Sequence, residues 1–528
     1  MSAASPLAWA TAGVLLVAAA VAAVRWLRVA QREHYAPGRV VLFAGRWWVD
    51  RVLSTAALAA GTAASVASAF EPLAGLVVAV VGVGAPIGLG LRGRTGGLAW
   101  TRRLTTLAGV TGFLGACAVA GGAIAGQPVV AAAAVVIGMP LLVDAAAWCV
   151  VPFEGRVAAV FVRSASRRLA QVSPEVVAVT GSYGKTSTKL FIAHLAASTR
   201  SVVASPASFN NLMGLARTIN EGLAPGTDVL VVEMGTYGPG EIARLCRLTP
   251  PRISVITAIG PVHLERFRSE ERIVAAKSEI TEGAEVVVLT VDNPHLAVLA
   301  DQLAARPRPA RIVRCSAAPV PEPFIGGGAD VHVALDGDML VVRRAGEIVA
   351  RAVDVTAPAT NVACAVAVAL ELGVPPGEIE RRLASLPSAA HRLEIVRAAS
   401  GVVVVDDTYN ANPAGARAAL AALARVGATG PGHRVVVTPG MVELGARQFA
   451  ENEAFARDAL AVADTLLVVG RTNRRALTAG ARPRAGRPEP GGTVVVVPDR
   501  KSAVDWVRSN LGPGDAVLYE NDLPDHYP

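Results

Sequence analysis

Before residue 150 the chain carries five apolar stretches, 7–24, 52–70, 73–91, 104–125 and 128–150, each close to the roughly 20 residues a helix needs to cross a bilayer. Within lipid the backbone must satisfy its own polar groups, so such runs can only be helices, and about five transmembrane spans are expected. Hydrophobic residues make up 52 % and charged residues 17 % of the 528 positions, too apolar for an ordinary soluble enzyme, and the excess sits in this part.

Arginines fall in every second connection: Arg25, Arg28, Arg32, Arg39, Arg46 and Arg51, then Arg92, Arg94, Arg102 and Arg103, then Arg156, Arg163, Arg167 and Arg168. The connections at Glu71-Pro72 and Gly126-Gln127 carry no positive charge. Positive connections stay cytoplasmic, so the N-terminus is expected outside and the larger C-terminal part in the cytoplasm of a multi-pass inner-membrane protein. A cleaved signal peptide is disfavoured, because no basic segment precedes the first stretch and four more follow it.

The net charge of +8 is largely explained by these arginines, and no interleaving of aromatic and basic residues points to nucleic acid as a partner. The five cysteines are scattered without a Cys-x-x-Cys pair, which suits a reducing compartment and no zinc site.

From residue 176 onward, short β-branched runs alternate with helical stretches, the pattern of an α/β fold on a mostly parallel sheet. Strands are expected at 176–180, 229–233, 253–257 and 286–290. A β-rich insertion follows at 331–355 with a hairpin turn at Asp336-Gly337. After a boundary near 387–391, a second α/β series places strands at 402–406, 435–438, 466–469, 494–497 and 516–519.

The first of these strands runs into Gly181-Ser182-Tyr183-Gly184-Lys185-Thr186-Ser187-Thr188 and then a helix, the setting in which backbone amides and a helix N-terminus bind phosphates. The glycines let the backbone approach the nucleotide, Lys185 neutralises phosphate charge, and the Thr186 hydroxyl suits Mg²⁺. The common spacing would need glycine where Val179 stands.

Only four lysines, Lys185, Lys189, Lys277 and Lys501, occur against 46 arginines. Where arginine is so preferred, a retained lysine invites a chemical reason, since a planar guanidinium cannot replace a compact ammonium in a phosphate loop. Lys185 and Lys277 are the functional candidates, whereas Lys189 and Lys501 read as solvated helix positions. Glu233 and His263 lie just past strand ends, where open parallel sheets place ligand-binding groups, and together they suit a divalent ion.

Several strings then occur in one order: the phosphate loop, Asn210-Asn211, Glu233-Met234-Gly235, His263-Leu264-Glu265-Arg266-Phe267, Ala276-Lys277-Ser278-Glu279-Ile280, Asn361-Val362, and Asp406-Asp407-Thr408-Tyr409-Asn410-Ala411-Asn412-Pro413. This set resembles the Mur ligases, and the last string is most similar to their dipeptide-adding branch. The likeness covers residues 172 to 528.

The apolar stretches set out a membrane region (1–150) and a cytoplasmic linker (151–171), and the likeness implies a central ATP-binding domain with a mostly parallel sheet (172–388) and a smaller Rossmann-like α/β domain (389–528). By position, the resemblance implies that Gly181, Ser182, Gly184, Lys185, Thr186 and Ser187 hold the nucleotide with Asn361, Arg392 and Asp407. Two Mg²⁺ ions would be served by Thr186, Glu233, His263 and Lys277, the last as an N-carboxylated lysine. Lys185, Lys277 and His263 would carry the chemistry, and Asn210, Asn211, Tyr409, Asn410 and Asn412 would contact substrate. The implied reaction is ATP-dependent amide formation through an acyl phosphate.

The carboxylate partner would be a wall or envelope precursor, lipid-linked in keeping with the spans, and the amine an amino acid or dipeptide. Dipeptide-adding relatives usually show Gly-Asp-Met and Lys-Gly-Ser where this chain has Pro439-Gly440-Met441 and Tyr519-Glu520-Asn521. Two alternatives stand beside this reading: a poly-γ-glutamate-synthase-like amide ligase, and a nucleotide-dependent transporter or scaffold.

Overall fold

The computed structural model describes residues 5–33, 35–49, 52–87, 89, 98–206, 209–262, 264–318, 328–353, 355, 357–387, 393–409, 412–427, 432–482 and 491–521. His263, Arg392 and Asn410 lie outside them. The chain divides into two compact units, residues 1–160 and 161–528.

The first unit is helical. Among the described residues, three helices are long and apolar enough to cross a membrane: Pro6–Arg32, Arg102–Ile124 and Met139–Val172. The expected second and third spans form shorter helices, Val52–Ala67 and, after a turn of 3₁₀ helix, Gly75–Gly84. The latter stops before Pro86, which cannot continue a helix. Its last carbonyls are taken by Arg25, a buried arginine of the first helix, which donates to Gly82 O at 2.9 Å, Val83 O at 2.5 Å and Ala85 O at 2.5 Å.

The expected fifth span breaks at Gly138 into Pro128–Ile137 and Met139–Val172. Helices approach closely at small residues: a Cβ on Gly82 would sit 2.3 Å from a Val136 methyl. An unforeseen helix, Arg39–Val49, begins on the buried Asp144 carboxylate, which accepts from Val41 N at 2.8 Å. The lone acid of the apolar stretches therefore anchors a helix N-terminus.

Residues 151–171, read as a linker, are helical and belong to Met139–Val172. From Phe161 on, that helix packs into the second unit, with Ala165 buried against Leu215, Ile219 and Leu223. Arg168 Nε donates to Leu223 O at 2.6 Å and Asn220 Nδ2 to Phe161 O at 3.0 Å. Truncating a side chain as enclosed as Ile219 to alanine would cost about 2–5 kcal/mol.

The second unit holds two sheets. Nine strands form the first: β1 (Glu175–Thr180), β2 (Val202–Ala204), β3 (Val229–Glu233), β4 (Ile253–Ile256), β5 (Val286–Thr290), β6 (Arg311–Ser316), β7 (Val331–Asp336), β8 (Met339–Arg344) and β9 (Glu347–Val353). Their order is β2-β3-β1-β4-β5-β6-β7-β8-β9, parallel as far as β7 and antiparallel beyond.

The stretch expected as an insertion therefore extends the main sheet. Asp336 pairs with Met339, so the hairpin turn is Gly337-Asp338, one residue later than expected, with Gly337 at φ +60°. β2 and β6 were not foreseen, because three residues give no period and β6 lies in a Pro- and Arg-rich segment.

The second sheet contains β10 (Glu394–Arg397), β11 (Val403–Asp407), β12 (Arg434–Thr438), β13 (Thr465–Val469), β14 (Thr493–Val497) and β15 (Ala516–Glu520). The order is β10-β11-β15-β12-β13-β14, with only β10 antiparallel. Apolar clusters cover both faces of each sheet, which is why their strands read as unbroken β-branched runs.

Candidate functional site

β1 is the third strand of its sheet, flanked by β3 and β4, and its C-terminal end opens into the phosphate loop. The loop is tied down by its own backbone: Ser182 N donates to Ala258 O at 2.7 Å, and Thr257 Oγ1 donates to Tyr183 O. The Ser182 hydroxyl donates to Gly260 O at 3.2 Å and accepts from Gly260 N at 3.1 Å, so it shapes the loop and braces the next one.

Gly184 sits at φ +75°, and a Cβ there would meet Asn361 Oδ1 at 2.3 Å. Asn361, at the start of the helix Ala359–Glu371, therefore lies directly against the loop. The helix Lys185–Ala196 follows, with Lys185, Thr186 and Ser187 in its first turn, where free amides and the helix dipole favour anions. Lys185 Nζ donates to Gly181 O at 2.8 Å and Ser182 O at 3.4 Å, which holds its charge over the loop.

Glu233, the last residue of β3, is buried and engaged on both oxygens. Thr186 Oγ1 donates to Oε2 at 2.8 Å and Asn210 Nδ2 to Oε1 at 3.2 Å. Lys189 Nζ stands 3.6 Å from Oε2, with both side chains almost sealed from solvent. Lys189 is thus a core residue, contrary to the expectation of a solvated helix position. Lys501 meets that expectation, 84 % exposed and paired with Asp505.

The signal for Lys189 was present in the helical period: with Ile192 and Ala196 it falls on the buried stripe three and seven residues on. Lys277, on the helix Glu270–Ser278, is buried too. Burial, and then the Lys185 ammonium, push its pKa well below the ordinary lysine value, against the pull of Glu233. Lys189 and Lys277 therefore both lie near the Glu233 carboxylate, with the Lys185 ammonium close enough to act on Lys277.

The donor set suits a hard cation. A carboxylate and a hydroxyl 2.8 Å apart, beside a phosphate loop, are the oxygens Mg²⁺ takes when nucleotide phosphates complete its shell. No cluster of three His, Cys, Asp or Glu residues suited to a metal occurs among the described residues.

Other expected residues have local duties. Asn211 Oδ1 accepts from Gly214 N at 2.9 Å and caps the helix Leu212–Gly222, leaving its neighbour Asn210 to reach Glu233. Asn412 Oδ1 accepts from Gly415 N at 2.8 Å in the first turn of the helix Pro413–Gly427. Asp407 Oδ1 accepts from Leu393 N at 3.1 Å, and Tyr409 is half-exposed.

Sequence reasoning gave Tyr183 no role. Its ring fills the space left by Gly260, and its hydroxyl has no hydrogen-bond partner among the described residues. Burial, and then the Glu270 and Glu451 carboxylates, raise its pKa. Glu270 also links the two sheets' domains through Arg447, Nη1 to Oε1 2.6 Å.

At the C-terminal end of the second sheet, the two segments that depart from the dipeptide-adding pattern touch each other. Asn521 Nδ2 donates to Gly440 O at 2.6 Å, and Thr438 Oγ1 donates to Glu520 Oε2 at 3.0 Å. Glu520 is fully buried, its Oε1 has no hydrogen-bond partner among the described residues, and burial together with the Asp407 carboxylate pushes its pKa up to about 8.

Comparison with known proteins agrees with this architecture. Residues 179–349 match the Mur ligase middle domain, and residues 391–519 match the Mur ligase, glutamate ligase domain. The UDP-N-acetylmuramoyl-tripeptide–D-alanyl-D-alanine ligase of Mycobacterium leprae is 35 % identical over 370 residues, 65 % of this chain and 70 % of that one. The Escherichia coli enzyme of the same name is 30 % identical over 319 residues, 58 % and 67 % of the two chains.

Among solved structures, the MurF ligase of Thermotoga maritima in complex with ADP superposes with a TM-score of 0.56 at 26 % identity, covering 69 % of this chain and 80 % of its own. With both domain models matched in order and a relative 35 % identical over 70 % of its own length, the chain belongs to the Mur ligase family of ATP- and Mg²⁺-dependent, carbon–nitrogen bond-forming ligases.

Proposed function

We propose that the protein joins an amino acid or dipeptide, D-alanyl-D-alanine being the first candidate, to a carboxylate on a peptidoglycan or envelope precursor at a membrane. The observation that carries this reading is the convergence of Lys185, Thr186, Glu233 and Lys277 at the phosphate loop, in a chain whose relatives are named as ligases of that dipeptide.

The loop amides and Lys185 orient the ATP phosphates, and Thr186 and Glu233 would hold Mg²⁺, which supplies charge neutralisation when bound. The γ-phosphoryl group moves to the substrate carboxylate, releasing ADP. The amine attacks the resulting acyl phosphate, and phosphate leaves as the amide forms. Burial lowers the pKa of Lys277 and so favours the neutral amine, which would add CO₂ and release a proton to become a carbamate with further anionic oxygens beside Glu233. Asn361, Arg392 and Asp407 are assigned to the nucleotide, His263 to the metal, and Asn210, Tyr409 and Asn410 to the substrate side.

The membrane assignment is supported by the first unit's long apolar helices and by the large apolar side chains it exposes, Val17, Val52, Val80 and Phe113 among them. The arginine-rich connections favour a cytoplasmic catalytic unit. A lipid-linked carboxylate would give the spans a purpose.

Purified protein with ATP, Mg²⁺ and D-alanyl-D-alanine, offered a UDP-linked or a lipid-linked muramoyl tripeptide, should release phosphate and yield a new amide by mass spectrometry. ATP hydrolysis that no amine or carboxylate stimulates would overturn the reading.

A further inference from the structure

Lys189 is the largest side chain sealed completely from solvent among the described residues, in a chain with 46 arginines and four lysines in all. A buried ammonium needs an anion, and among the described residues the Glu233 carboxylate stands 3.6 Å away. Glu233 is also the carboxylate assigned above to Mg²⁺. Its Oε2 is shared by Lys189 and the Thr186 hydroxyl, while Asn210 holds Oε1. The carboxylate is therefore fixed in orientation from three sides and already balanced in charge.

That balance has a consequence for metal binding. A divalent cation approaching Glu233 alone meets a carboxylate whose charge Lys189 has compensated, at a distance where solvent screens little. The same cation carried by nucleotide phosphates brings its own anions and gains their contacts with the loop and Lys185.

We propose that Lys189 is a positioning residue that makes the Glu233 site conditional on nucleotide: it orients Glu233 and offsets its charge, so that a divalent ion is held only together with phosphate. The ordering prevents the site from filling with free metal before the nucleotide arrives. This inference rests on the reading of Glu233 and Thr186 as Mg²⁺ ligands.

The test uses the full chain in nanodiscs and Mn²⁺ as probe, with free Mn²⁺ followed by electron paramagnetic resonance, without and with ADP. The wild type should bind Mn²⁺ weakly alone and at least tenfold more tightly with ADP. Lys189→Met, close in volume, should tighten nucleotide-free binding at least tenfold and so narrow the gap. Lys189→Arg, which keeps the charge, should retain it.

Unchanged nucleotide-free affinity in Lys189→Met, or a lost gap in Lys189→Arg, would overturn the proposal. If Lys189→Met does not fold, tight binding of Mn²⁺ alone by the wild type still overturns it. Glu233→Gln separates the two levels. Wild-type Mn²⁺ binding with ADP in that variant removes the metal assignment itself, whereas lost binding there with no change in Lys189→Met removes only the role of Lys189.

Discussion

Glu233 and Glu520 occupy equivalent places: each ends a strand of a parallel sheet, each is buried, and each accepts a threonine hydroxyl. Their surroundings are opposite. Glu233 has Lys189 and Asn210 for company, whereas Glu520 faces Asp407 across the β11–β15 register and has one oxygen without a partner among the described residues. Burial is the larger cause of the raised pKa of Glu520, and the Asp407 carboxylate adds to it. The first lies beside an ammonium, and the second beside another carboxylate that adds to the upward push on its pKa.

The largest expected effect breaks the first member of the pair. Glu233→Gln, or Lys277→Ala, should lower kcat by on the order of 10²–10³-fold, the loss of a few kcal/mol of transition-state charge stabilisation. Acetate, standing where a carbamate would, should restore part of the Lys277→Ala loss. Steady-state phosphate release measures both, and full activity in Lys277→Ala would remove its assigned role.

Gly184→Ala tests how closely the loop must pack beside Glu233. An alanine at φ +75° is strained by about 1–2 kcal/mol before the clash with Asn361 is counted. ADP affinity, read by calorimetry, should fall at least tenfold.

Glu520 should show itself in stability rather than rate. Its folded pKa of about 8 lies above the ordinary 4.5, so the folded form holds the proton more tightly. Stability from this group is full below about pH 4.5 and is lost as pH rises towards 8, at up to about 1.4 kcal/mol per pH unit. Glu520→Gln should leave the melting temperature unchanged at pH 5 and raise it by several degrees at pH 8. An unaltered pH profile would show that the two glutamates are less different than their neighbours suggest.

The smallest effect concerns the contact between the sheets' domains. Arg447 is more than half exposed, so Arg447→Ala should cost no more than about 1 kcal/mol of stability despite its 2.6 Å contact with Glu270. A larger loss in thermal unfolding would mean that the ion pair couples the two halves.

Much of the fold was legible because β-branched runs and turn residues repeat at βαβ spacing. β1, β3, β4 and β5 fall within a residue of expectation, as do the five parallel strands of the second sheet. Short or edge elements were not: β2 has three residues, and β10 borders its sheet with exposed side chains. In the helical unit, apolar length overstated the number of full-length helices, since composition does not reveal that Arg25 closes one helix at Gly82–Ala85 or that Gly138 divides another.

At the site, residue chemistry together with order along the chain selected Lys185, Thr186, Glu233 and Lys277, because phosphate and Mg²⁺ accept few substitutes. Which neighbours those residues meet was settled only by tertiary structure. Asn210 reaches Glu233 while Asn211 caps a helix, a distinction that depends on which backbone amides each faces. Lys189 and Lys501 look alike along the chain, yet one is sealed against a carboxylate and the other lies in solvent. Sequence carries the identity of a charge and its local period; burial and the opposing charge come from segments far apart in the chain, and these set what the residue does.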